Sequence, residues 1–112
     1  MKLITAIIKP FKLDEVRQAI TDIGIQGVTV TEVHGYGQLP EREETYRATD
    51  YQIDSFPKAK IEIAVDDSIA EQVIEALCNV ARTGSVGDGK LWVLELEQAL
   101  RIRTGEIGPD AI

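Results

Sequence analysis

The stretch Lys58-Ala59-Lys60-Ile61-Glu62-Ile63-Ala64-Val65, followed closely by Ser68-Ile69-Ala70-Glu71, decides the fold of this chain. In the first segment apolar side chains recur at every second position, with Lys60 and Glu62 between them. This alternation predicts a strand with one buried face. The second segment has the Ser-x-x-Glu form of a capping box, so it predicts that a helix begins at Ser68.

The predicted helix has an apolar stripe at helical spacing, and the same two kinds of pattern recur on both sides of it. Upstream, Met1–Ile8 and Val28–Tyr36 are predicted strands. They flank a predicted helix that carries Leu13, Val16, Ile20 and Ile23 and stops at Gly24. Downstream, Leu91–Leu96 is a fourth, strongly apolar strand. The element order is therefore predicted to be βαββαβ.

This order is that of the ferredoxin-like α+β sandwich, an antiparallel sheet with two helices on one face. A chain of 112 residues is expected to form a single domain, residues 1–112. The first and fourth strands are apolar on both faces, although one sheet face has no helix to cover it. We therefore expect that face to pack on other copies of the chain.

A long segment, about residues 37–55, shows no periodicity and interrupts the domain between the second and third strands. A loop of this length is uncommon in so small a domain unless it is functional. It contains Tyr46 and Tyr51, which would be available to a modifying enzyme or a partner if exposed. Ordinary packing of both tyrosines within the loop is the alternative.

Composition argues against several classes of function. The chain has 12 basic and 19 acidic residues, a net charge of −7, so nucleic acid is not an expected partner. It has no apolar run long enough to span a membrane and no recognisable signal peptide at its start. Cys78 is the only cysteine, which excludes an internal disulfide and favours the cytoplasm. No hydrolytic triad and no paired metal ligands stand out, so we expect neither an enzyme nor a metal held by protein side chains.

The segment at about 82–90 is rich in glycine and ends in Lys90. Glycines allow backbone N–H groups to approach a phosphate, and a lysine adds a positive charge. The segment is not a Walker A motif, because a strand follows it and no Ser or Thr follows Lys90. A simple turn is the alternative interpretation.

Arg101 and Arg103 stand out in the C-terminal arm, about residues 98–112, because they interrupt an acidic chain. Two residues apart in an extended arm, their guanidinium groups would point to the same side and suit a di- or triphosphate. Ordinary surface ion pairs with nearby acidic residues are the alternative.

Several stretches taken together resemble the PII nitrogen-regulatory family over essentially the whole chain. They are Ala6-Ile7-Ile8-Lys9-Pro10-Phe11-Lys12-Leu13, Thr29-Val30-Thr31-Glu32-Val33, Phe56-Pro57-Lys58-Ala59-Lys60-Ile61-Glu62, Thr83-Gly84-Ser85-Val86-Gly87-Asp88-Gly89-Lys90 and Arg101-Ile102-Arg103-Thr104-Gly105-Glu106. The resemblance implies a homotrimeric regulator that binds ATP or ADP, with Mg²⁺ accompanying ATP, in clefts between subunits. It also implies that the long loop is an effector loop that contacts a membrane transporter or a metabolic enzyme.

The resemblance also implies which residues would meet the nucleotide. Thr29 and the strand end at Gly35–Gly37 would meet it from one side with Ala64 nearby, the glycine-rich loop would cradle the phosphates, and both arginines would come from a neighbouring subunit. The implied set is Val28, Thr29, Gly35, Gly37, Gln38, Ala64, Gly87, Asp88, Gly89, Lys90, Arg101 and Arg103.

The departures from the family pattern concern a second ligand. Lys58 matches the lysine that pairs with 2-oxoglutarate, and Tyr51 matches a tyrosine that is uridylylated in many members. Leu39, however, stands where the family usually has a glutamine that helps to bind the ligand's magnesium, and leucine offers no oxygen to a hard cation. We therefore expect 2-oxoglutarate to bind weakly or not at all.

Three hypotheses follow. The first is a non-enzymatic nucleotide sensor of the PII type that acts in a nitrogen pathway. In a variant of this hypothesis, the chain belongs to a divergent branch, responds to the energy state of the cell and serves a transporter other than that for ammonium. The second is an enzyme of phosphate chemistry, which lacks a base or nucleophile. The third is a structural trimer that resembles the cation-tolerance proteins and binds no nucleotide.

Overall fold

The computed structural model describes residues 1–37 and 55–112. Within these ranges the regular elements are four strands, two α-helices and two short 3-10 helices. In chain order they are β1 (Lys2–Ile8), a 3-10 helix (Pro10–Lys12), α1 (Leu13–Ile23), β2 (Thr29–Tyr36), β3 (Ser55–Val65), α2 (Asp67–Ala81), β4 (Lys90–Glu95) and a second 3-10 helix (Gly108–Ala111).

The four strands form one antiparallel sheet in the order β2-β3-β1-β4. Sequence neighbours β1 and β2 are thus separated by β3, as the split βαβ arrangement requires. The predicted ferredoxin-like α+β fold is confirmed. No helix in the described ranges is long and apolar enough to cross a membrane.

The core lies between the sheet and the two helices. Ile4, Ile61 and Ile63 point to it from the central strands, and Val16 of α1 and Val73 of α2 meet them from the other side; each is at most 1% exposed. The alternation in β3 and the helical spacing in α1 and α2 supply these contacts directly. Gly24 ends α1 with a φ of 103°, the left-handed conformation that glycine adopts without strain, as predicted.

Within the described ranges, both α-helices pack on the core side of the sheet, and neither covers its opposite face. Trp92 and Leu94 of β4 lie there and remain 43% and 55% exposed. Strand β4 pairs with β1. In β1, Thr5 lies between Trp92 of β4 on one side and Glu62 of β3 on the other. This face carries large exposed apolar side chains, which fits the expectation that another copy covers it.

Three local predictions were wrong. Helix α2 begins at Asp67, with Asp66 as its N-cap residue, so Ser68 lies inside the first turn and caps nothing; its hydroxyl donates to Asp66 Oδ2 at 2.6 Å. Strand β3 begins at Ser55 rather than Lys58. It can include Pro57 because that residue pairs only with β2, beyond the end of β1, where no second ladder needs its missing N–H.

The third concerns the C-terminal arm, which is not irregular. An isolated bridge joins Leu100 to Ile107, and the N–H of Gly105 donates to the Arg101 carbonyl at 2.7 Å. Arg101 and Arg103 therefore lie on a tight turn and not on an extended arm. A spacing of two residues places two side chains on the same side only in an extended segment, so it does not fix the directions of these two guanidinium groups.

Candidate functional site: two clefts at opposite ends of the sheet

The first cleft lies where β2 ends and β3 begins, against the glycine-rich loop, and has a volume of about 480 Å³. Its lining includes six residues predicted to meet the nucleotide, Gly35, Gly37, Gly87, Asp88, Gly89 and Lys90, and also Lys58, which was predicted to pair with 2-oxoglutarate. These residues come from three separate parts of the chain. The structure therefore brings the glycine-rich loop and the end of β2 together.

Asp88 organises the glycine-rich loop from inside. Its carboxylate accepts hydrogen bonds from the backbone N–H of Thr83 at 2.8 Å and of Gly84 at 2.9 Å, and from the Thr83 hydroxyl. Its fourth partner is the ammonium of Lys9, 3.2 Å from Oδ1. Chiefly through the Thr83 hydroxyl and backbone bonds, these partners hold the pKa of Asp88 well below its usual range. The carboxylate thus fixes the loop, and Gly87, Asp88 and Gly89 of the loop line the cleft.

Gly89 is held against β1 so closely that no other residue fits. Its φ is 97°, and a Cβ built on it would lie 1.7 Å from the carbonyl oxygen of Ile7. By contrast, a Cβ on Gly84, whose φ is 87°, would meet nothing within 4 Å. Gly89 is therefore required both by its conformation and by backbone contact.

Lys58 reaches the loop from β3, where its ammonium donates a hydrogen bond to the Gly87 carbonyl oxygen. Burial of the side chain, and secondarily the nearby charge of Lys9, lower the pKa of Lys58, while Asp88 opposes this shift. Within the described residues, no carboxylate lies within ion-pair distance of this ammonium. An anion that entered the cleft beside Gly87 would supply the missing partner.

The second cleft lies at the other end of the sheet and has a volume of about 690 Å³. Thr29, Glu62, Ala64 and Arg101 contribute to its lining, together with the C-terminal residue Ile112. The Arg101 guanidinium is paired with Glu106 Oε1 at 3.2 Å, and both side chains remain partly exposed. This cleft offers a guanidinium, a hydroxyl and a small apolar floor, together with the carboxylates of Glu62 and Asp66.

Thr29 and Gly35–Gly37 do not meet in one chain, contrary to the expectation that they would meet a ligand from one side. They stand at opposite ends of β2, and eight residues of strand span roughly 26 Å. Arg101 lies with Thr29 and Ala64. Arg103, on the same turn as Arg101, is exposed and makes no ion pair among the described residues. The predicted residues therefore fall into two sets that a single chain keeps apart.

Other predicted residues fare differently. Val28 packs against the hydrophobic core and lines neither cleft. Gln38, Leu39 and Tyr51 lie outside the described residues, as does nearly all of the predicted effector loop. Within the described ranges, no group of three or more His, Cys, Asp or Glu side chains could hold a metal ion.

Lys9, Thr83 and Glu62 are site residues that the sequence reasoning missed. Lys9 and Thr83 lie within matched stretches of the chain, but their partners are far away in sequence, and Lys9 is 79 positions from Asp88. No periodicity or local spacing reports such a contact. The one available signal was that all three residues lie in stretches that resemble a known family.

The lowered pKa of Asp88 predicts that the folded protein loses stability in acid. Because its pKa is lower in the folded chain, its contribution to stability is complete above the ordinary value of 3.8 and is lost as the pH falls below it. We expect Asp88→Asn to lose stability at neutral pH and to show a shallower decline below pH 3.8 than the unmodified protein. Urea unfolding at a series of pH values measures this, with Asp14→Asn, at a 95% exposed carboxylate, as control. If the free energy of unfolding declined with pH equally steeply in Asp88→Asn and in the unmodified protein, Asp88 would not be the group responsible.

The fold and the two clefts define a ferredoxin-like α+β protein with a glycine-rich loop next to a lysine, Lys58, that donates to the backbone of the loop. Comparison with known proteins supplies the family. The family model described as Nitrogen regulatory protein P-II matches residues 1–106. Over all 112 residues, and over 100% of both chains, the sequence is 54% identical to the nitrogen regulatory protein P-II of Rhodospirillum rubrum and to that of Rhizobium meliloti, and 52% identical to that of Haemophilus influenzae. The chain belongs to the nitrogen regulatory protein P-II family, which confirms the resemblance found in its sequence.

Proposed function

We propose that this chain is a non-enzymatic signal-transduction regulator that works in the cytoplasm as a homotrimer, binds ATP or ADP between subunits and controls a partner protein. Membership of a family named for nitrogen regulation supports the role of regulator. The partner would be a membrane transporter or a metabolic enzyme, contacted through the segment between β2 and β3.

The observation that carries the proposal is that one chain has two clefts at opposite ends of its sheet, each lined by some of the residues predicted to meet the nucleotide. The cleft beside the glycine-rich loop is lined by residues of that loop and by two lysines, Lys58 and Lys90. The cleft beside Thr29 offers the guanidinium of Arg101 and an apolar floor at Ala64. Each half alone would surround a nucleotide on one side only.

A head-to-tail ring of identical subunits would join the two halves. In such an arrangement one end of each chain meets the opposite end of its neighbour, so every interface contains one complete site. The uncovered sheet face, with Trp92 and Leu94, would line the centre of the ring. Sedimentation at micromolar protein concentration tests this directly, and a stable monomer would contradict it.

The phosphates would lie against the glycine-rich loop, and Arg101 and Arg103 would reach them from the neighbouring chain. Mg²⁺ would enter with ATP, bound chiefly by the phosphates. Because Leu39 offers no oxygen to this ion, we expect 2-oxoglutarate to bind weakly or not at all. If two conformations of the regulator differ in their affinities for ATP and ADP, the bound nucleotide would shift the balance between them. The regulator would then respond to the energy state of the cell.

Calorimetric titration with ATP and with ADP, combined with an assay for ADP production, tests the proposed function. Binding of both nucleotides without turnover is the expected result. Turnover would instead support an enzyme of phosphate chemistry. The absence of any binding would contradict the proposal and favour a structural trimer that resembles the cation-tolerance proteins.

A further inference from the structure

Lys9 links the end of β1 to both ends of the glycine-rich loop. Its Nζ lies 3.1 Å from the Thr83 hydroxyl, at the start of the loop, and 3.2 Å from Asp88 Oδ1, at the end. The side chain is only 21% exposed, so the contact is sheltered from solvent. We call the group formed by Lys9, Thr83 and Asp88 the clasp.

The clasp resolves an electrostatic conflict. A carboxylate on a loop that faces phosphates would repel them, and the repulsion between two unit charges is strong when they are partly desolvated. Here the carboxylate of Asp88 is turned to the backbone N–H groups of Thr83 and Gly84 and to the ammonium of Lys9. Its charge is therefore directed into the loop and neutralised there.

Lys58, a second lysine that reaches the loop, does not take the place of Lys9. Lys58 donates to the Gly87 carbonyl and makes no ion pair with Asp88. A Cβ on Gly87 would lie 3.5 Å from Lys58 Nζ and 3.7 Å from Lys9 Cε, so the two lysines flank this glycine. Lys58 is thereby left available to an incoming anion, and Lys9 is committed to Asp88.

We propose that Lys9 is a positioning residue for nucleotide binding, which acts through Asp88 and does not itself contact the phosphates. This inference rests on the proposed nucleotide site. Lys9 keeps the loop closed by binding both the Thr83 hydroxyl and Asp88, and it cancels the charge of Asp88. Without Lys9, the negative charge of Asp88 would repel the more highly charged nucleotide more strongly. Loss of Lys9 therefore lowers the affinity for ATP more than the affinity for ADP.

The substitution Lys9→Met tests this, with Lys12→Met as the matched control. Lys12 lies three positions away with a side chain 20% exposed, and its ammonium is 3.1 Å from Glu15, which lies on α1 and away from the loop. Thermal unfolding first verifies that both variants are folded. Hydrogen exchange of the Thr83 and Gly84 amides, without nucleotide, should then be faster in Lys9→Met, unchanged in Lys12→Met and restored in Lys9→Arg.

Calorimetry separates positioning from direct contact. We expect Lys9→Met to lower ATP affinity about tenfold, the scale of one charge-assisted hydrogen bond, and ADP affinity by less. In an Asp88→Asn background, where no carboxylate charge remains to be cancelled, the same change should alter ATP affinity by about twofold or less.

The outcomes distinguish this inference from the proposed function. An equal loss in both backgrounds would mean that Lys9 contacts the nucleotide itself and would overturn the positioning role. Unchanged ATP affinity in Lys9→Met, with the unmodified protein binding ATP, would overturn any role of Lys9. Failure of the unmodified protein to bind either nucleotide would overturn the proposed function, and unchanged exchange of the loop amides would separately overturn the clasp.

Discussion

Gly89→Ala should destabilise the protein by about 2–5 kcal/mol, because two costs combine at this position. Placing an L-residue in the left-handed region costs about 1–2 kcal/mol, and forcing extra atoms into a packed region costs about 1–3 kcal/mol. The second cost is unavoidable here, because the new Cβ would lie 1.7 Å from the Ile7 carbonyl oxygen. That atom belongs to the backbone of β1, a strand paired on both sides, which cannot move without disturbing the sheet.

The control for this prediction is Gly84→Ala. Gly84 has a similar φ, 87°, but its Cβ would meet nothing within 4 Å, so only the conformational cost of about 1–2 kcal/mol applies. Urea unfolding at equal protein concentration compares the two, since association would make stability depend on concentration. Equal losses in the two variants would show that the contact between Gly89 and Ile7 contributes nothing.

Arg103→Ala should lower ATP affinity by about 1.5–3 kcal/mol, roughly ten- to hundredfold, if its guanidinium reaches the phosphates of a neighbouring subunit. Arg103 is the cleaner of the two arginines to test. Its side chain is exposed and makes no ion pair among the described residues, so its removal should leave the fold of the free chain unchanged. Arg101→Ala should cause a loss of similar size, but it also releases Glu106 from its ion pair.

Arg17→Ala is the control for general charge. Arg17 lies on α1, where its side chain is 58% exposed and 3.7 Å from Asp14. The Arg17→Ala variant should therefore bind ATP as the unmodified protein does. Unchanged affinity in both Arg101→Ala and Arg103→Ala would contradict the phosphate assignment. A loss in Arg17→Ala of the same size would show that the arginines act only through net charge.

The fold was largely predictable from the sequence because local patterns specify it. The helical spacing of Leu13–Ile23 and the stop at Gly24 were confirmed, and the alternation in β3 gives the buried face directly. Where the predicted start of an element was wrong, a local sequence pattern indicated one residue, but the element begins at a neighbouring residue upstream. Asp66 takes the N-cap position that the Ser-x-x-Glu pattern assigned to Ser68, and β3 begins at Ser55, upstream of the alternating pattern that starts at Lys58.

The candidate site was predictable only in part, since its geometry depends on contacts between distant segments. The glycine-rich loop and Lys58 were identified as candidates, but the clasp joins Lys9 to residues 74 and 79 positions away. Likewise, the turn that carries Arg101 and Arg103 is closed by hydrogen bonds that the spacing of the arginines does not reveal. The separation of Thr29 from Gly37 follows from the length of β2 and could have been derived from the sequence.

The central claim is that each nucleotide site is completed by a second chain, and mixing two inactive variants tests it most directly. Lys90→Ala damages the half-site beside the glycine-rich loop, and Arg103→Ala damages the one supplied by the neighbour. In a cyclic trimer that contains both variants, one interface carries both substitutions and another carries neither. After unfolding and refolding as an equal mixture, about a quarter of the clefts should therefore bind ATP with the affinity of the unmodified protein.

Each variant refolded alone provides the baseline and should bind ATP only weakly. Calorimetry of the mixture should then reveal a tight class of sites that neither variant possesses. A mixture that binds ATP no better than its two components would contradict the account, because sites contained within one chain cannot be restored by exchange of subunits.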